Sequence, residues 1–128
     1  LKERMNMHFD KNFLKNRAII NVNDENFGIT FTHWTRKRRS WSIQWRDVVA
    51  IEAMVVEEPS FELGFVFYLI RETEYFVSDD MENWEALEDA VRKRFPDFNW
   101  SNVDAAKLHA NRNKRFPCWK RENAAQSK

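Results

Sequence analysis

The sequence predicts an α+β fold: a bent antiparallel β-sheet, or partly open barrel, of about six strands closed by one C-terminal amphipathic helix. Three observations predict it. Short β-branched and aromatic runs separated by polar turns recur as far as Val77, and from Met81 to Phe95 the apolar period changes to that of a helix. The length of 128 residues suits one domain whose core needs no disulfide or metal. With 43% hydrophobic and 15% aromatic residues, the chain is too rich in large apolar groups to be disordered.

The elements follow in order. Ala18 to Asn23 is short and β-branched, and Asn23 to Asn26 with Gly28 tolerates a tight turn, so strand, turn and strand are expected. Ile29 to Thr35 then places Ile29, Phe31 and His33 on one face and Thr30, Thr32 and Trp34 on the other. From Ser40 to Trp45, Trp41, Ile43 and Trp45 alternate with Ser40, Ser42 and Gln44 at the two-residue period of a half-buried strand. Val48 to Val56 is nearly continuous in apolar residues, and its valines and isoleucine favour a strand that Glu57-Glu-Pro-Ser60 breaks. Phe65 to Ile70 and Tyr75 to Val77 form a further hairpin across the polar turn Arg71 to Glu74.

Ser78-Asp-Asp80 supplies good N-caps, so a helix is expected over 80–95. Trp84, Leu87, Val91 and Phe95 make one apolar stripe to lie across the sheet. Acidic residues crowd its first turns and Arg92-Lys-Arg94 its last, as the helix dipole favours, and Pro96 ends it. The domain thus covers 18–96, preceded by an N-terminal segment, 1–17. In the extension 97–128, Asn102 to Ala110 reads as a short helix and Arg115 to Trp119 as an aromatic anchor packing back on the domain, with the last residues frayed.

Catalytic chemistry finds little purchase. Two glycines in the whole chain exclude a glycine-rich phosphate loop. His8, His33 and His109 each stand alone, without a second ligand at metal spacing. Cys118, between Pro117 and Trp119, reads as a buried structural thiol, and Asp79 and Asp80 as helix caps rather than a catalytic carboxylate pair. No catalytic residue, metal ligand or cofactor is expected, and the chain reads as a non-enzyme. A single cysteine, the absence of a secretory pattern at the start and a longest apolar run of only Phe65 to Ile70, against the roughly 20 residues of a membrane span, predict a cytoplasmic protein.

Charge is the informative feature. The net charge of +1 conceals ten Lys or Arg against four Asp or Glu from residue 1 to 46, one against thirteen from 47 to 90, and ten against three from 91 to 128. Either the acidic middle folds against the basic ends, or it stays exposed and steers a partner with a basic surface. Glu57, Glu58 and Glu62 in a loop, with Glu82, Glu85 and Asp89 on the helix, are the candidate partner-binding residues. The run Arg36, Lys37, Arg38 and Arg39, flanked by Trp34 and Trp41, is the alternative site, suited to a phosphate-bearing lipid headgroup or nucleic acid. The acidic middle argues against a full nucleic-acid face.

Ile43-Gln-Trp-Arg-Asp-Val-Val-Ala-Ile51 resembles the I-x-W-x-D-I-x-x-I stretch of small bacterial proteins with a pleckstrin-homology-like fold. Tyr75 to Trp84, with Arg94-Phe-Pro96, is similar to their last strand and helix. The resemblance spans residues 18–96 and implies that fold and a binding role. Together with small size and segregated charge, it leads to the expectation of a non-enzymatic bacterial interaction domain. An immunity-type protein that binds and neutralises a toxin is one form of that expectation; an anion-binding adaptor is the alternative.

Overall fold

The computed structural model describes residues 16–33, 38–56, 62–108 and 114–122. Strands β1 (Asn16–Val22), β2 (Asn26–His33) and β3 (Arg38–Gln44) form an antiparallel meander in the order β1-β2-β3. A single 3-10 turn, Trp45–Asp47, leads into β4 (Val48–Val56), which pairs with β5 (Glu62–Leu69), and β5 pairs with β6 (Glu74–Ser78). Helices α1 (Trp84–Arg94) and α2 (Trp100–Leu108) follow, and β7 (Phe116–Lys120) returns to pair with β4. The second sheet therefore has the order β6-β5-β4-β7.

The α+β class stands, but the described strands number seven, in two sheets that do not close into a barrel. Nor is α1 the last element. The physical reason lies at the corner: the Trp45 amide donates to the Glu25 carbonyl at 2.9 Å and its indole N–H to the Asn23 carbonyl at 3.0 Å, turning the chain out of the first sheet. Arg121, the residue after β7, fixes the same corner, donating to the carbonyls of Arg46 and Val48.

Between the sheets lies the core. Phe27 of β2 packs on Trp45 and on Phe67 of β5, with ring centroids 4.3 and 4.5 Å apart, while Phe65 meets Trp84 of α1 at 4.9 Å. The stripe Trp84, Leu87, Val91 and Phe95 is buried as its spacing requires. Both glycines sit at close approaches. A side chain at Gly28 would run into the backbone of Trp41 and Ser42, and one at Gly64 into the Phe76 ring.

The helix starts at Trp84 rather than at residue 80, and Asp79 and Asp80 do not cap it. Tertiary pairing wins over local capping. The Ile20 amide donates to the Glu82 carbonyl at 2.9 Å and the Glu82 amide to the Ala18 carbonyl at 3.0 Å, so Glu82, just before the helix, is bridged to β1 beside Ile19. Asn83 then turns the chain in the left-handed region at φ 75°, its side-chain N–H donating to the Ile20 carbonyl at 3.0 Å.

Strand β7 holds the residues expected as an aromatic anchor. Pro117 is tolerated because β7 is an edge strand among the described residues, and the register with β4 shifts between Ile51 and Glu52. Among the described residues, no helix is long and apolar enough to cross a membrane.

Candidate partner-binding surface

The acidic surface is assembled by the turn after β6. The Asp79 amide donates to the Leu63 carbonyl at 2.8 Å, which brings that turn against the start of β5 and so places Asp80 and Glu62 on one groove. Asp80 also accepts a hydrogen bond from the Ser78 hydroxyl at 2.6 Å. The Asp79 carboxyl is pushed above its ordinary value, first by burial and then by the Asp80 charge; backbone N–H groups and Lys107 act the other way.

From there the acidic surface continues to α1. Glu82 is exposed and takes both Arg17 donors, Nε at 2.6 Å and Nη2 at 3.2 Å; this hydrogen bonding holds its carboxyl below the ordinary value. Glu85 and Asp89 are exposed one helical turn apart, so their carboxylates share a face. Of the predicted acidic set, Glu62, Glu82, Glu85 and Asp89 are thus placed, whereas Glu57 and Glu58 lie outside the described residues.

The basic ends reach the acidic middle at particular points. Besides Arg17 on Glu82, Arg115 donates to Glu74 at 2.8 Å and to the Tyr68 hydroxyl at 2.5 Å, and that hydroxyl donates to Glu52 at 2.7 Å. Burial first, then the hydrogen bond to Glu52, raises the Tyr68 phenol above its ordinary value, against the effect of Arg115. Asp80, Glu85 and Asp89 remain exposed.

For the alternative site, Arg38 and Arg39 are exposed at the start of β3, while Trp34, Arg36 and Lys37 lie outside the described residues. Trp41 does not present an open stacking face. It is half-buried, with its ring 4.6 Å from Tyr75 of β6 and edge-on to Phe27. A second cationic group, which the sequence reading did not single out, gathers at the corner. Arg94 lies 5.0 Å over Trp45 and shares a depression with Arg46, but Asp24 and Glu25 line that depression too.

Cys118 is 4% exposed, and burial pushes its thiol up to about 12, so it is protonated at neutral pH. His33 ends β2 in the first sheet, whereas Cys118 lies in the second; His8 and His109 are outside the described residues. Among the described residues no three of His, Cys, Asp and Glu are grouped to hold a metal.

The groove beside β6 was not legible as a site. It encloses about 570 Å³, with Phe31, Val56, Phe76 and Met81 as its apolar wall. Phe31 shares the parity of Phe27 and Ile29, which are fully buried, yet at 36% exposure it is itself only partly covered. Comparison of the chain with protein-family models, with curated proteins and with solved structures finds no match.

Proposed function

We propose that this chain is a non-enzymatic protein-interaction domain whose acidic surface docks a partner with a basic surface. The supporting observation is that Asp80, Glu85 and Asp89 are exposed along one continuous stretch of chain, from the end of β6 onto α1. Carboxylates kept in solvent retain their field, which accelerates encounter with a cationic surface and weakens with salt. The cationic alternative has less behind it, because Trp41 is packed against Tyr75 instead of standing open for a base or headgroup. In the finer form of the proposal, the partner is a bacterial toxin that this chain neutralises by occupying its basic face.

The test compares proteins retained from the native host by the immobilised chain and by a Glu85→Lys/Asp89→Lys variant. A partner held by the wild-type chain, released at about 0.5 M salt and lost by the variant, is the expected result. Retention unaffected by either change overturns the acidic-surface reading. Binding of anionic vesicles or oligonucleotides that weakens on neutralising Arg38 and Arg39 favours the cationic alternative. The toxin form requires that the retained partner arrest growth when expressed alone and not when this chain is expressed with it.

A further inference from the structure

The corner between the sheets carries a second set of charges, at the opposite end of α1 from Glu85. The turn before β2 is fixed by Asn23, whose side-chain oxygen accepts from the amides of Glu25 at 2.9 Å and Asn26 at 2.7 Å. The Trp45 amide donates to the Glu25 carbonyl, which ties this turn to the corner, and Asp24 and Glu25 come to line one depression with Gln44, Trp45, Arg46 and Arg94. It encloses about 310 Å³. Both guanidiniums are held without an acidic partner. Arg46 donates its Nε–H to the Gln44 side-chain oxygen at 2.8 Å, and Arg94 lies over the buried Trp45 ring. Among the described residues neither forms an ion pair with Asp24 or Glu25, and all four side chains are exposed. We propose that this depression binds a small zwitterion of the amino-acid class, a free amino acid or dipeptide, with its carboxylate on Arg46 and Arg94 and its ammonium on Asp24 and Glu25. The site goes beyond the acidic docking surface and is independent of it.

Charge balance selects that ligand. Two cations and two anions line the depression, so a simple anion drawn to the arginines meets two carboxylates, and a simple cation drawn to the carboxylates meets two guanidiniums. A ligand carrying both charges satisfies both sides. The free donors agree. With Nε engaged, Arg46 keeps its two terminal nitrogens, and Arg94, stacked over Trp45, keeps its guanidinium N–H groups, a fork that a carboxylate matches. Asp24 and Glu25 accept in turn from an ammonium with its three donors. The volume lies at the lower end of small-ligand sites, roughly 300–1,000 Å³, which fits an amino acid or dipeptide better than a larger molecule.

The test titrates the full chain, isotopically labelled, with each standard amino acid and a set of dipeptides, and follows its NMR resonances. Saturable shifts of the Asp24, Glu25 and Trp45 amides and of the Trp45 indole N–H are expected for at least one of them. For that ligand, N-acetylation and C-terminal amidation each remove one charge and should each weaken binding by roughly tenfold or more. Arg46→Gln/Arg94→Met and Asp24→Asn/Glu25→Gln should do the same, while the blocked ligands probe the same contacts on unaltered protein. No saturable shift at millimolar concentration, or a blocked form that binds as well as its parent, overturns the inference. Inorganic phosphate that binds more tightly than every zwitterion, and more tightly still to Asp24→Asn/Glu25→Gln, overturns it in favour of a plain anion site. If the host partner is lost on reversing Glu85 and Asp89 and no zwitterion binds, the inference fails while the proposed function stands.

Discussion

Cys118 illustrates what a single side chain does here. Its sulfur is the only one in the chain that a thiol reagent could attack, and it sits inside β7 with its thiol pushed up to about 12 from an ordinary 9.0, burial being the largest cause. A folded-state value above the unfolded one means that the unfolded chain ionises first as pH rises. The stability contributed by the buried neutral thiol is therefore complete below pH 9.0 and is lost between there and about 12. Two outcomes follow for the native protein. An aromatic disulfide reagent at pH 8 should modify the thiol only as fast as the protein opens, with full reactivity on adding denaturant. Cys118→Ala should lose stability at pH 7, by about 1–2 kcal/mol, and lose less of its remaining stability than wild type between pH 9 and 11. Rapid stoichiometric modification of the folded chain would show that Cys118 is accessible. The sequence already indicated a buried thiol, because proline and tryptophan flank it; it gave no indication that Phe31 would be left partly uncovered, since period-two alternation assigns a face and not how far the opposing sheet extends.

At the scale of elements, β1 to β6 were legible because each is a β-branched or aromatic run with polar breaks, a signal that is local. What failed depended on distant partners. Arg115 to Trp119 reads as an aromatic anchor and not as a strand, and only the pairing with β4, far upstream, makes Phe116–Lys120 one. The start of α1 failed in the same way: Ser78, Asp79 and Asp80 are good caps locally, but β1 captures the backbone of Glu82 and moves the helix start to Trp84. Asn83 carries the cost of that arrangement, because its left-handed backbone disfavours most side chains. Asn83→Val should therefore lose about 2 kcal/mol in chemical denaturation, from strain and from the lost hydrogen bond to Ile20. Asn83→Gly removes the same hydrogen bond without the strain and should cost clearly less. Equal losses in the two variants would mean that backbone conformation is not what selects asparagine there.

For the whole molecule, the question is whether two sheets with one corner between them fold as one unit. Strand pairing does not join them among the described residues, so aromatic packing, the 3-10 corner and the β1 bridge must carry the coupling. Phe67 is fully buried in the second sheet and meets Phe27 of the first at 4.5 Å, while Phe27 in turn packs on Trp45 at the corner. Removing that ring takes contacts from both sheets at once. Phe67→Ala should cost about 3–5 kcal/mol, and hydrogen exchange should show amide protection falling by a similar factor in β2 and in β5. If protection fell in β5 while β2 kept its wild-type value, the sheets would be separately stable, and the groove between Phe31 and Phe76 would open and close by hinge motion. Equal losses would instead mean that the core couples the two sheets and holds the groove at fixed width.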